Sequence, residues 1–138
     1  VWKFPDVDIS EYDSLPEAKE QLTFLDEIDV TGFQPTYVEI FDEKISVKSW
    51  REFFTKTIET LLELEPCKVK NLVHDSDFFG SASKIIGENP ADCRKPYEIC
   101  PNELYVETNL SANSLLNYTK LVAEKIELDY ADIRFGLR

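Results

Sequence analysis

Methionine is absent from the sequence, and histidine occurs once, at position 74. The missing methionine predicts a piece of a longer protein rather than an intact translation product. With one histidine, any histidine-based triad has to use His74. Glycine is scarce as well, with four in 138 residues. No glycine-rich phosphate loop, Walker lysine or serine-nucleophile elbow is present. No stretch approaches the roughly 18–20 apolar residues that a membrane span needs, and no signal peptide opens the chain.

Positive charge is in short supply. Fifteen Lys and Arg face 27 Asp and Glu, which gives a net charge of −12 and a pI near 4.5. Such a field repels phosphate backbones at long range and disfavours general nucleic-acid affinity, while leaving room for a local basic patch. The three cysteines, Cys67, Cys93 and Cys100, cannot all pair within one chain. Reduced thiols in a cytoplasmic protein are expected. Their spacing has no close Cys pair of the zinc-knuckle kind, so neither a metal nor another cofactor is expected.

What is present is ordinary globular material. Hydrophobic residues make up 43% and charged residues 30%, with nine Phe, six Tyr and two Trp to build a core. The acid is unevenly spread. Residues 1–34 hold nine acids against Lys3 and Lys19, which is −7 of the net −12. That stretch is expected to be an acidic linker with a short helix. Ser14 would cap it, Pro16 suits its first turn, and Ala18, Leu22 and Leu25 share a face. Residues 35–138 are expected to form a single domain.

Within that domain, Tyr37 to Phe41 and Ile45 to Val47 read as a hairpin around a polar turn at Asp42–Lys44. Ser49 and Glu52 form a capping box that opens an amphipathic helix through Trp50, Phe53, Phe54, Thr57, Ile58, Leu61, Leu62 and Leu64. Pro66 ends that helix or starts a second, short one running to His74, with Val69, Leu72 and Val73 inward. Short strands are expected near 83–86 and 97–99. A better strand covers 104–110, with Leu104, Val106 and Thr108 on one face and Tyr105, Glu107 and Asn109 on the other. A second long helix runs from Ser111 or Ala112 to Glu127, and Ile133, Phe135 and Leu137 alternate in a closing strand. The order β-β-α-α-β-β-β-α-β predicts an α+β fold: a small mixed or antiparallel sheet with two main helices packed on one face.

Candidate chemistry is thin. His74 reads as a surface side chain at a helix C-terminus. Glu98, Glu103 and Glu107, with Lys95, are the acids and base a small metal-dependent nuclease or hydrolase would use. The Asp42-Glu43-Lys44 step has the right residue types but falls in a turn. The Asn109–Asn113 junction is more distinctive. It joins the best strand to the second long helix, and Asn109, Ser111 and Asn113 all suit a cap or a bound anion or carbonyl group. Arg94 and Lys95, with Lys84 upstream, make a basic cluster restrained by Pro96. Lys44, Lys48 and Arg51 surround the first helix start, and Arg134 and Arg138 lie on the last strand.

The run Ile45-Ser46-Val47-Lys48-Ser49-Trp50 leads into a helix. Arg94-Lys95-Pro96 follows, then Leu104-Tyr105-Val106-Glu107-Thr108-Asn109-Leu110-Ser111-Ala112-Asn113, a helix and a short strand. This order resembles a C-terminal accessory module of bacterial restriction-like and anti-phage defence proteins, including those with ParB-like nuclease domains. The resemblance covers residues 35–138 and implies no catalytic residues. It implies a non-catalytic module whose partners are the other domains of its protein and a partner protein or DNA. Binding is expected at Arg94, Lys95, Asn109, Ser111 and Asn113. The competing readings are the small nuclease or hydrolase and an acidic protein-interaction domain.

Overall fold

Two helix starts and two alternating strands, each with a local sequence signal, organise the chain. The structure, a computed structural model, describes residues 22–24, 26, 28–80 and 83–138. Its strands are β1 (Leu22–Thr23), β2 (Pro35–Ile40), β3 (Glu43–Ser46), β4 (Ile86–Gly87), β5 (Pro96–Cys100), β6 (Leu104–Glu107) and β7 (Ile133–Leu137). Its helices are α1 (Trp50–Leu64), α2 (Pro66–Asn71) and α3 (Ala112–Lys125). Short 3-10 turns fill Leu72–His74, Ser76–Phe78, Pro90–Asp92 and Tyr130–Asp132. The fold is α+β. Among the described residues no helix is long and apolar enough to cross a membrane.

The helices begin where capping chemistry allows. Ser49 Oγ accepts from Glu52 N–H at 3.1 Å. The Glu52 carboxylate reaches back one residue further than a standard box, to Lys48 N–H at 2.6 Å. Pro66 sits in the first turn of α2, where its missing N–H costs nothing. Val69, Leu72 and Val73 turn inward, while Leu64 is left exposed at the end of α1. Ser111 caps α3 by accepting from Ser114 N–H at 3.2 Å. Among the described residues, one buried hydroxyl, Thr57 Oγ1 in α1, has no hydrogen-bond partner.

The single sheet expected from the element order is in fact two. Among the described residues, one has four strands in the order β1-β7-β2-β3, the other three in the order β4-β6-β5, and every pairing is antiparallel. Helix α1 packs on α3 and also touches β2 in the first sheet and β5 in the second. Strand patterns report which face is apolar, not which strand is the partner, so the division was invisible locally. Gly136 on β7 stands where a Cβ would collide with the Tyr37 ring, so the close approach of β7 to β2 requires glycine there. The hairpin turn is Phe41–Asp42, earlier than expected. Phe41 has a left-handed φ of 55°, and Glu43 and Lys44 belong to the edge strand β3. That charge on an edge discourages further pairing.

Some residues ahead of position 35 pack against the domain. Leu22, expected on a helix, pairs with Phe135 in a strand. Phe24 is 1% exposed and Val30 is fully buried, both within the stretch expected to be linker. Ser14, Pro16, Glu17, Ala18 and Leu25, from the expected helix, lie outside the described residues. The Phe24 ring meets Phe53, Phe135 and Tyr130 at centroid distances of 6.5, 5.7 and 6.0 Å. Truncation of a buried Phe costs about 3–5 kcal/mol. Phe24→Ala should therefore lower stability by that amount in urea unfolding, and deleting residues 1–34 should lower it further. A truncated chain as stable as the full one would contradict this packing.

Candidate functional site

The most constrained chemistry lies where β6 ends and α3 begins. Glu107, the last residue of β6, is a fully buried carboxylate. A buried charge is costly unless hydrogen bonds replace its water. Four donors do so here. Oε1 accepts from Ser83 Oγ at 3.0 Å and from Arg94 N–H, while Oε2 accepts from Asn109 N–H at 2.9 Å and Lys95 N–H at 3.1 Å. Burial is the largest single influence on this carboxyl and pushes its pKa up. The donors from Asn109, Arg94, Ser83 and Lys95 together outweigh it, and the group titrates below the ordinary glutamate value. All four lone-pair directions are occupied, so Glu107 acts as a brace.

The same brace fixes the basic pair. Lys95 C=O accepts from Thr108 N–H at 3.1 Å and Thr108 Oγ1 at 2.8 Å, so the 93–95 loop is tied to the end of β6 from both directions. Cys93 below it is buried, its Sγ 3.4 Å from Lys84 C=O. Burial, then the Glu107 and Asp92 charges, push that thiol up to about 11, so it stays protonated and unreactive near neutral pH. The Arg94 and Lys95 side chains are exposed, with no acidic partner among the described residues.

The structure thus brings Arg94, Lys95 and Asn109 together, through their main-chain N–H groups. A cleft of about 190 Å3 opens beside them, lined in part by Ser83, Arg94, Glu107, Asn109, Ser114 and Tyr118. Ser111 is at the next turn as the α3 cap, its hydroxyl also 3.0 Å from Ser114 Oγ. Asn113 faces elsewhere. Its Oδ1 accepts from Val30 N–H at 2.9 Å, and its Nδ2 donates to Asp29 Oδ1 at 2.9 Å and Thr31 Oγ1 at 3.0 Å. Asp29 is held down to about 2 by the Thr31 hydroxyl first, then the Thr31 N–H and the Asn113 amide. Asn113 is a latch on the 29–31 loop.

The acids of the nuclease reading go to separate places. Glu98 accepts from Tyr105 Oη at 3.1 Å, Glu103 pairs with Lys70 at 2.8 Å, and Glu107 is in the brace. Cys67 is exposed, Cys93 buried and Cys100 half-buried, and all three thiols are unpaired. His74 is exposed at the end of a 3-10 turn, 3.9 Å from Glu88. Among the described residues, no three His, Cys, Asp or Glu side chains gather as a metal would require.

No family model matches this chain, and neither curated proteins nor solved structures yield a match to it. The site therefore rests on its own geometry.

The alternating pattern of 104–110 places Glu107 on the face opposite Leu104, Val106 and Thr108, and both faces of β6 are covered. The available signal was an acid at the end of the most apolar strand run, followed by short polar residues. The downward pKa shift means the brace is fully in place above the ordinary glutamate range and is lost as pH falls through its lowered folded value. Glu107→Gln should flatten part of the acid limb of stability against pH in urea titrations. At neutral pH it should cost about 1–3 kcal/mol, through stranded N–H donors. An unchanged acid limb would count against the brace. Asn113→Ala should also cost about 1–3 kcal/mol by chemical unfolding, and amide exchange should quicken at Val30 but not at Arg94.

Proposed function

We propose that this domain is a non-catalytic recognition module of a larger cytoplasmic protein of the bacterial defence type, binding a partner protein or nucleic acid through a local basic surface. The observation that carries this reading is the pair Arg94 and Lys95. Their N–H groups are consumed by Glu107 while their side chains stay exposed and unpaired among the described residues. A fixed backbone that bares two cations loses little entropy when an anionic surface arrives. The acidic remainder of the chain repels anions elsewhere, which would confine binding to this corner. The order of elements from Ile45 to the last strand, with its resemblance to accessory modules of defence proteins, supports placement beside an effector domain.

The reading is tested by reversing Arg94 and Lys95 to Glu in the full-length protein. Capture of partner proteins and of labelled DNA should fall at least about tenfold, the scale of losing one or two charge-assisted contacts. The melting temperature should stay unchanged, because the brace uses main-chain groups. Folded double variants with undiminished binding would leave the corner as scaffold.

A further inference from the structure

A groove of about 450 Å3 lies on the other side of the same brace, between the first turns of α1 and the outer strand β5. Lys48, Arg51 and Lys56 line it from the helix side, Tyr97 from β5, and Thr108 from the end of β6. Thr108 is the residue that holds the Lys95 carbonyl, so the groove runs up to the Arg94–Lys95 corner. On a chain of net charge −12, three cations in one groove stand apart. The one acid in its lining among the described residues, Glu52, already accepts from Lys48 N–H. Glu59 lies at the margin, 3.9 Å from Lys56 Nζ and 3.4 Å from Tyr97 Oη. Lys48 and Arg51 are exposed and have no acidic partner among the described residues.

We propose that this groove binds a single-stranded nucleic acid, with phosphates on Lys48, Arg51 and Lys56 and a base on the ring of Tyr97. The inference rests on reading the domain as a recognition module and names the ligand of its basic surface. Cations track a sugar–phosphate backbone, and an exposed ring offers a stacking platform. Arg51 and Lys56 are five residues apart on one helix, about 7.5 Å along its axis, so they can reach different phosphates. Tyr97 is 39% exposed although it sits on a strand packed against α1. Only an unpaired base can present its face to that ring, which selects single strands over duplex. An acidic protein segment is the competing occupant. It would use the three cations and leave the ring without a role.

The test uses the full chain with fluorescently labelled oligothymidylate, oligouridylate, a duplex of mixed sequence and a polyglutamate peptide, read by anisotropy at low salt. Both single strands should bind more tightly than duplex or peptide, and the ratio of the first two tells DNA from RNA. Tyr97→Ala should weaken binding about 5- to 100-fold, as loss of one stacked base does, while Tyr97→Phe should keep it. The log–log salt slope should be about −2 for three phosphate contacts on a single strand, and Arg51→Glu with Lys56→Glu should reduce it. Circular dichroism and melting curves establish that each variant is folded. The proposal is overturned by a wild-type chain that binds neither oligonucleotide, by binding indifferent to Tyr97→Ala, or by tighter binding of the peptide. Oligonucleotide binding lost only on reversing Arg94 and Lys95 also overturns it, and leaves the corner reading standing.

Discussion

A carboxylate buried without water must find its hydrogen bonds in the protein, and Glu107 finds four. Much of the second sheet follows from that requirement. The donors come from three separate stretches: Ser83 ahead of β4, Arg94 and Lys95 ahead of β5, and Asn109 ahead of α3. Each stretch is fixed relative to the end of β6 because a buried charge cannot tolerate a vacant lone pair. Glu107 N–H donates in turn to Ile85 C=O at 2.8 Å, which ties the same residue into the backbone network on the β4 side. One side chain thus sets where the basic loop lies and where the second long helix starts.

The first sheet depends on a different brace. The loop before β2 is held by both long helices. The Trp50 indole N–H donates to Phe33 C=O at 2.9 Å at the start of α1, and Asn113 takes Val30 N–H at the start of α3. Behind these contacts the Phe24, Phe53 and Phe135 rings interlock, with Phe53 and Phe135 edge-to-face at 5.5 Å. An N-terminal strand of two residues would have little hold by itself. Its place against β7 is maintained by this aromatic cluster and by the two polar latches. The helix starts therefore do double duty, since their caps close the helices and neighbouring side chains pin the chain that precedes β2.

The two braces leave their polar side chains in opposite states. Asn113, a cap-capable residue at a helix start, is committed to loop 29–31 through both of its N–H donors and its carbonyl. Arg94 and Lys95 contribute main-chain groups to the fold, so their side-chain charges stay exposed. The groove with Lys48, Arg51, Lys56 and Tyr97 adjoins them because Thr108, between Glu107 and Asn109, is bonded to Lys95. The link between the two sets of cations is Thr108, which lines the groove and bonds the Lys95 carbonyl.

Helix starts were legible from sequence, because capping acts over three or four residues: Ser49 with Glu52, and Ser111 ahead of Ala112. So were the buried stripe of α1 and the alternation of Ile133, Phe135 and Leu137, which follow from local periodicity. The basic pair and Asn109 could be singled out as residue types, and their dependence on Glu107 could not. Glu107 meets Arg94 across 13 residues and Ser83 across 24, and Asn113 meets Val30 across 83. No local pattern encodes such distances. The split into two antiparallel sheets, the capture of Phe24 and Val30 by the core, and the convergence of Tyr97 with the α1 cations share that origin. Sequence by itself determined the two long helices, their buried stripes and the alternation of the closing strand, since those are short-range preferences. Tertiary structure decided which strands pair, which polar groups are consumed and which are left exposed, because burial and hydrogen bonding between distant segments are properties of the assembled chain.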